Sequence, residues 1–238
     1  MRRVAIIQPN YIPWKGYFDI VHAVDIFIFL DDVQYTQRDW RNRNRIKLAN
    51  GTSSWLTVPT QGGRSQSIHE VLVDRSQDWS RKHAEALRHS YARSPFFDRY
   101  HPRIIEILAS GHERLADLDI DLTKQICEWL AIPTELRRSS EMGGAGAKDE
   151  RLIELVRAVG GDFYLSGPAA RDYIVPKRFE DAGITLAYHD YAGYPEYPQV
   201  SAPFDHYLTV LDLLFAVGPE APDYVWGSRR ARPIPVLE

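Results

Sequence analysis

The chain has 238 residues, 44% of them hydrophobic, and its 32 acidic against 29 basic residues leave a formal net charge of -3. That length supports one substantial core, and that balance argues against a protein whose main work is gripping nucleic acid. Cys127 is the only cysteine, which excludes an internal disulfide and a cysteine metal cluster; no apolar run suits a membrane span or a secretory signal, so the cytosol is the expected compartment.

The stretch from Val4 to Lys47 organises the rest. Val4 to Ile7 reads as a buried strand ending at Gln8-Pro9, and the proline holds Gln8 extended, with its amide aimed into the following loop. A helix is expected over Tyr17 to Val24, with Phe18 and Val21 inside and Asp19 and His22 outside. Ile26 to Leu30, apolar throughout, reads as a strand covered on both faces and completes a compact βαβ unit closed by Asp31-Asp32. Asn50-Gly51 marks a turn between strands at Arg45 to Leu48 and Ser54 to Val58; a polar loop, 59–67, and a short strand from Ile68 to Val73 follow.

From Trp79 the spacing becomes helical, with helices over Trp79 to Tyr91, Phe96 to Gly111 and Leu115 to Trp129. A further helix spans Asp149 to Val159, stopped by Gly160-Gly161. Phe163 to Ser166 is a strand, a helix runs from about Ala169 to Ile174, Thr185 to Tyr188 is the last sheet strand, and Tyr207 to Phe215 is a core helix. The division expected is an α/β domain formed by 1–78 and 143–218, a helical region at 79–142, and a proline-rich loose tail at 219–238. The fold class is α/β: a modified Rossmann-like parallel or mixed sheet with an inserted helical region.

Open α/β sheets bind ligands beyond the carboxyl ends of their strands, which places the expected site in the loops after the first two strands. Gln8 is a candidate for a substrate amide, hydroxyl or base, and Tyr11 and Trp14 for stacking on a base or sugar. Asp31 and Asp32 point to opposite faces, so they form no close dyad; Asp32 is the candidate base, with Gln34 nearby. Asn42 and Asn44 share one face of a strand while Arg43, Arg45 and Lys47 share the other, which suits a diphosphate or carboxylate. In MGGAGAKDERLI the glycines let backbone approach a ligand, and Lys148 and Arg151 bring positive charge to a helix start, though without a Walker arrangement. Ser166, Asp172, Tyr197 and Gln199 are further pocket candidates, and His189 is the histidine expected to act as acid or base. Cys127 reads as packing, and no spacing of histidines and cysteines argues for a metal.

The runs IIQPNYIPWKGYFDI, DDVQYTQRDWRNRNRI, FYLSGPAARDYI, YPQ and HYLTVLDLLFAVG resemble the WbqC-like family over about nine-tenths of the chain. The resemblance implies a role in surface-polysaccharide or other secondary biosynthesis, names no cofactor and fixes no single reaction; it also raises Lys148 and Arg151 among the candidates. A weaker resemblance, to the HIGH-motif nucleotidylyltransferases and synthetases, falls on Trp14, Lys15, Gly16 and Tyr17; both histidines of that motif are absent, leaving backbone phosphate contact near Gly16.

The expected function is biosynthetic group transfer on a nucleotide-linked or other anionic small molecule, in its most concrete form acyl or aminoacyl transfer that makes an amide. A non-catalytic nucleotide or polysaccharide-precursor binding module is one alternative. An RNA-contacting protein using 38–47 is another, and self-association is left open.

Overall fold

Strands β1 (Arg3–Ile7) and β2 (Ile26–Phe29) are apolar at nearly every position and are buried on both faces in the computed structural model, which describes residues 1–63, 65–144 and 146–227. A strand with no polar face must lie inside a sheet covered from both sides. The sheet that does this adds β7 (Glu135–Arg138), β8 (Phe163–Ser166) and β9 (Thr185–Tyr188), in the spatial order β7-β2-β1-β8-β9. Every neighbouring pair is parallel, so of the parallel and mixed sheets expected, the parallel one forms.

Successive sheet strands step outward from β1 through β2 to β7, then return to the other side of β1 for β8 and β9. The reversal between β1 and β8 opens a crevice at their carboxyl ends. One face of the sheet, through Ala5, Phe27, Phe29 and Leu165, packs on α1 (Lys15–His22), α4 (Leu115–Trp129) and α7 (Val210–Val217). The other face, through Val4, Ile6, Ile28 and Leu186, packs on α5 (Asp149–Ala158) and α6 (Pro176–Asp181). Burying each such side chain contributes about 1.5–3 kcal/mol. The result is an α/β fold with a parallel sheet and helical insertions.

Residues 30–134 separate β2 from its outer neighbour β7 and carry two antiparallel hairpins and three helices. The hairpins pair β3 (Arg43–Lys47) with β4 (Ser53–Thr57) and β5 (Thr60–Gln61) with β6 (Leu72–Val73). The helices are α2 (Trp79–Tyr91), α3 (Phe97–Ala109) and α4. A single apolar cluster runs from the sheet through α2, α3, α4 and α7, so the inserted segment shares the main core.

Several local expectations change. Ile68 to Val73 is a 3-10 turn (Ile68–Glu70) followed by β6, because its capping box, Ser67 with Glu70, starts a turn instead of a strand. The expected helix near Ala169 is a 3-10 turn, Pro168–Asp172. The start of the expected loose tail is a 3-10 helix, Gly218–Tyr224, and Ala221, Val225 and Trp226 are buried against the core. The rest of that tail, 228–238, lies outside the described residues.

Asp19 and Lys15, a turn apart on α1, are both buried, contrary to the expectation that Asp19 faces out. α1 lies between the sheet and the chain that follows β9, so it has no solvent face to give them.

Candidate functional site

Two clusters of polar side chains form at the carboxyl ends of the strands. Beyond β2 and β7, Asp31 is fully buried and accepts hydrogen bonds from Arg138 Nε (2.8 Å), the Ser140 backbone N–H (2.9 Å) and Ser140 Oγ (2.9 Å). Arg138 also reaches Asp117 at 2.6 Å. Asp32 accepts from Arg151 Nη2 (2.6 Å) and Nε (3.1 Å) and from Ser139 Oγ (2.6 Å). Arg151 donates in addition to the carbonyls of Ser139 and Gly143. Two bidentate or forked guanidinium–carboxylate pairs thus use up the charge at this end.

Beyond β1 and β9 the arrangement differs. His189 Nε2 donates to Asp19 Oδ2 at 2.8 Å, and the Tyr194 hydroxyl donates to the same oxygen at 2.7 Å. The His189 backbone N–H is fixed by the Ser166 carbonyl at 2.8 Å, which ties the end of β9 to the end of β8. A carboxylate behind an imidazole sets its tautomer and stabilises its protonated form.

Separated from this pair by the Tyr191 and Trp14 rings lies a cavity of about 320 Å³ lined by Asn10, Pro13, Trp14, Trp40, Asn44, Arg45 and Tyr207. Trp14 forms its inner wall and touches Tyr207 (ring centroids 5.4 Å apart) and Tyr191 (5.1 Å), and Tyr191 in turn touches His189 (4.8 Å). Gly16 makes this possible, because a β-carbon there would come within 2.3 Å of the Trp14 ring. Trp40 and Tyr207 stand at the rim, 45% and 61% exposed. Arg45 is held at the wall by Asp205 (3.4 Å) and the Tyr207 carbonyl (3.4 Å). Three aromatic faces, one guanidinium and two asparagines suit a small molecule with a flat or ring-shaped part and a negative charge.

Several polar groups of the interior are deeply buried. Lys15 Nζ lies 5.0 Å from the ring centres of Tyr194 and Tyr197 and 5.7 Å from that of Phe204, and donates to the Pro195 carbonyl at 3.4 Å. Burial pulls its pKa down to about 8, partly opposed by the Asp212 carboxylate. Tyr11 is fully buried and hydrogen-bonds His83 Nδ1 at 2.8 Å; burial pushes the His83 pKa down to about 4, so the imidazole is neutral. Asp119 of α4 is fully buried with no hydrogen-bond partner on either oxygen, and burial holds its pKa well above the usual carboxylate range.

The model of the WbqC-like protein family matches residues 8–224. The chain belongs to the WbqC-like protein family. A WbqC-like relative from Mycobacterium tuberculosis (strain ATCC 25618 / H37Rv), "Uncharacterized protein Rv1507c", is 43% identical over 228 residues, covering 94% of this chain and 98% of its own. No solved structure matches this WbqC-like chain.

The WbqC-like chain brings Trp14, Asn44 and Arg45, three of the candidates read from sequence, together in the cavity, while His189 lies outside its lining, behind Tyr191. Gln8 sits at the end of β1, where its side-chain oxygen accepts from Arg41. Tyr11 lies below the cavity instead of facing it. Asn42 bonds the Val58 carbonyl (3.0 Å), and Asn44 the Ile12 carbonyl (2.8 Å). The expected cationic face of β3 does not form: Arg43 stacks on Trp55 (4.2 Å to the ring centre), Arg45 turns to Asp205, and the buried Lys47 donates to the Pro203 carbonyl. Those bonds fix the chain after β9 against the hairpin.

At the start of α5, Arg151 turns inward to Asp32 while Lys148 is exposed. At the start of α1, Gly16 carries the Trp14 ring over it, which closes the space where a phosphate would approach that helix. Gln34 and Asp172 are exposed, and the Gln34 backbone pairs with Ser67. Ser166 is buried with its hydroxyl accepting from Tyr164 at 3.3 Å. Tyr197 (2.7 Å) and Gln199 (2.9 Å) converge on Asp212 and shape the loop over Lys15.

Sequence reasoning missed Asp19, Trp40 and Tyr207 as site residues. The signal for Asp19 was its i,i+4 spacing from Lys15 in a largely apolar and aromatic helix; for Trp40 and Tyr207 it was their flanks, aspartate and arginine in one case and histidine in the other.

Proposed function

We propose that this protein is a biosynthetic transferase that binds a nucleotide-linked or similar anionic, ring-bearing small molecule in the cavity between Trp14, Trp40 and Tyr207. The single observation that carries this reading is the chain of contact from the cavity wall to the His189–Asp19 pair through Tyr191. Its position beyond β1, where the strand order reverses, supports a Rossmann-like reading of the sheet. The aromatic walls stack the ring, Asn10 sets its orientation, and Arg45 meets the negative charge by exchanging its Asp205 partner for it.

The reaction proposed is amide formation. The acceptor amine attacks an activated carbonyl carbon, a nitrogen–carbon bond forms, and the bond from that carbon to a thiol or phosphate leaving group breaks. The leaving group takes the electron pair, and the nitrogen's proton passes to His189. The base is His189 and not Asp32, because the oxygens of Asp32 are engaged by Arg151 and Ser139. The RNA-contacting alternative is weakened by the occupied cations of 38–47: Arg41 binds Asp39 and Gln8, and Arg43 stacks on Trp55.

The test is a fluorescence titration with a nucleoside diphosphate, a nucleotide-sugar and an acyl thioester, on the wild type and on Trp14→Ala and Tyr207→Ala. One class is expected to saturate, and each change to weaken it about tenfold or more, the loss of one stacked ring being about 1–3 kcal/mol. Absence of saturable binding by every class, with the protein folded, rejects the reading. For the class that binds, transfer to an amine is expected to fall by about 10²–10⁴ in His189→Gln.

A further inference from the structure

We infer that the outward face of the β3–β4 hairpin is a second subsite, continuous with the cavity, and that the ligand therefore carries two ring-bearing units joined by an anionic link. This deepens the transferase reading and rests on it for its catalytic meaning. The surface itself stands on the geometry of the hairpin.

The strand register sets Arg45 opposite Trp55 and Arg43 opposite Thr57. Alternate residues of a strand share a face, so these four side chains lie on one side of the hairpin, while Asn44, Ile46 and Leu56 are buried on the other. The Arg43 guanidinium lies 4.2 Å from the centre of the Trp55 ring, and that of Arg45 lies 5.8 Å from it. Trp55 nevertheless remains 43% exposed. An indole steadied by a guanidinium and left open to solvent is a platform for another ring.

Trp40 joins this platform to the cavity. It belongs to the cavity lining, and its ring centre is 5.5 Å from that of Trp55. With Trp14 and Tyr207, 5.4 Å apart at the wall, the rings run from the cavity out onto the hairpin. The cations follow the same path, because Arg45 lines the cavity and Arg43 stands two residues away on its face. Arg41 is paired with Asp39 and Arg45 with Asp205, whereas Arg43 has no carboxylate partner among the described residues, and its Nε is buried without a hydrogen-bond partner. Stacking occupies the flat face of a guanidinium and leaves its in-plane N–H donors for an anion such as phosphate. A single arginine without an acid is too little charge to grip a polynucleotide, but it suits the phosphates of one small molecule that begins in the cavity.

The experiment is an NMR titration of the isotope-labelled whole protein, following the indole N–H signals of Trp14 and Trp55, assigned by their loss in the Trp→Phe variants. The probes are the diphosphates of uridine, guanosine, adenosine and cytidine, each free and as its glucose conjugate. One conjugate is expected to displace both signals along a single saturation curve. Trp55→Ala is expected to weaken that conjugate about tenfold and leave the free diphosphate unaffected, while Trp55→Phe, which keeps a ring, retains most of the affinity. Arg43→Gln is expected to weaken both forms, since both carry the phosphates. Displacement of Trp14 without Trp55 overturns this inference and leaves the transferase reading standing. Displacement of Trp55 without Trp14 overturns the continuity, and displacement of neither by any probe rejects the subsite together with the cavity. Tighter, salt-sensitive displacement of Trp55 by a single-stranded oligonucleotide overturns the small-molecule assignment in favour of a nucleic-acid surface.

Discussion

The two ends of the sheet's carboxyl edge solve opposite problems. Beyond β2 and β7, every acidic oxygen of Asp31 and Asp32 meets an arginine, a serine or a backbone N–H, and the open space of about 620 Å³ on that side is lined by charged side chains already in pairs, Arg138 and Asp117 among them. Beyond β1 and β9, one carboxylate backs one imidazole, and aromatic walls leave about 320 Å³ of room on the far side of Tyr191. Adjacent acidic residues at a strand end drew attention as chemistry, yet their satisfaction makes them scaffold. The end that holds few charges and many rings is the one suited to a ligand.

The largest expected effect breaks the closed end. Asp31→Ala leaves Arg138 with Asp117 as its remaining carboxylate and strips the Ser140 hydroxyl and N–H of their acceptor, and chemical denaturation is expected to show a loss of about 3 kcal/mol. A loss below about 1 kcal/mol would mean that the cluster is not scaffold.

Asp119→Asn comes next and has the opposite sign. Between the ordinary carboxylate range and the raised pKa of Asp119, the folded chain holds a proton that the unfolded chain releases. The contribution of this site to stability is therefore full in acid and declines as pH rises. The asparagine variant is expected to be more stable than wild type by about 1–3 kcal/mol near neutrality, with the difference shrinking toward ~pH 4; equal shifts at both pH values would contradict the assignment.

Lys15 sharpens the open end. Its pKa is depressed to about 8, so between there and its ordinary value the unfolded chain binds the extra proton, and stability from this group rises with pH through that window. Lys15→Met, which fills the ring cage without charge, is expected to raise the denaturation midpoint near neutrality and to lose that advantage above ~pH 10.

Gly16→Ala is expected to cost less in stability than Asp31→Ala while displacing the Trp14 ring, read as weaker ligand binding in the fluorescence titration. The smallest effect belongs to Trp55→Ala, where a ring 43% exposed lies outside the cavity lining: stability is expected to change by no more than about 0.5 kcal/mol.

How much of this was legible depended on whether a segment follows one period. α2 and α4 begin and end at the residues read from their apolar spacing, and β8 and β9 likewise, because one periodicity governs each. β7, with the sequence ELRR, was invisible because it is an edge strand whose charged side chains carry no apolar signal. α6 was missed for brevity, six residues begun by Pro176. Asp19 was placed outside on the premise that a helix has a wet face, and α1 has almost none. The candidate cavity was legible as a location, the loop after β1, and through Trp14, Asn44 and Arg45, which line it. Its other wall was not, since Trp40 and Tyr207 arrive from segments far apart in the chain and only tertiary packing joins them.

The long excursion between β2 and β7 also governs how the chain emerges during synthesis. β1, α1 and β2 are complete within the first 29 residues, but the outer neighbour of β2 follows only at 135–138. At about 5–20 residues per second the apolar run IFIF waits several seconds or more with one hydrogen-bonding edge uncovered. An uncovered edge of that composition is a template for pairing with other chains, so the hazard for this protein lies in the interval before its sheet can close.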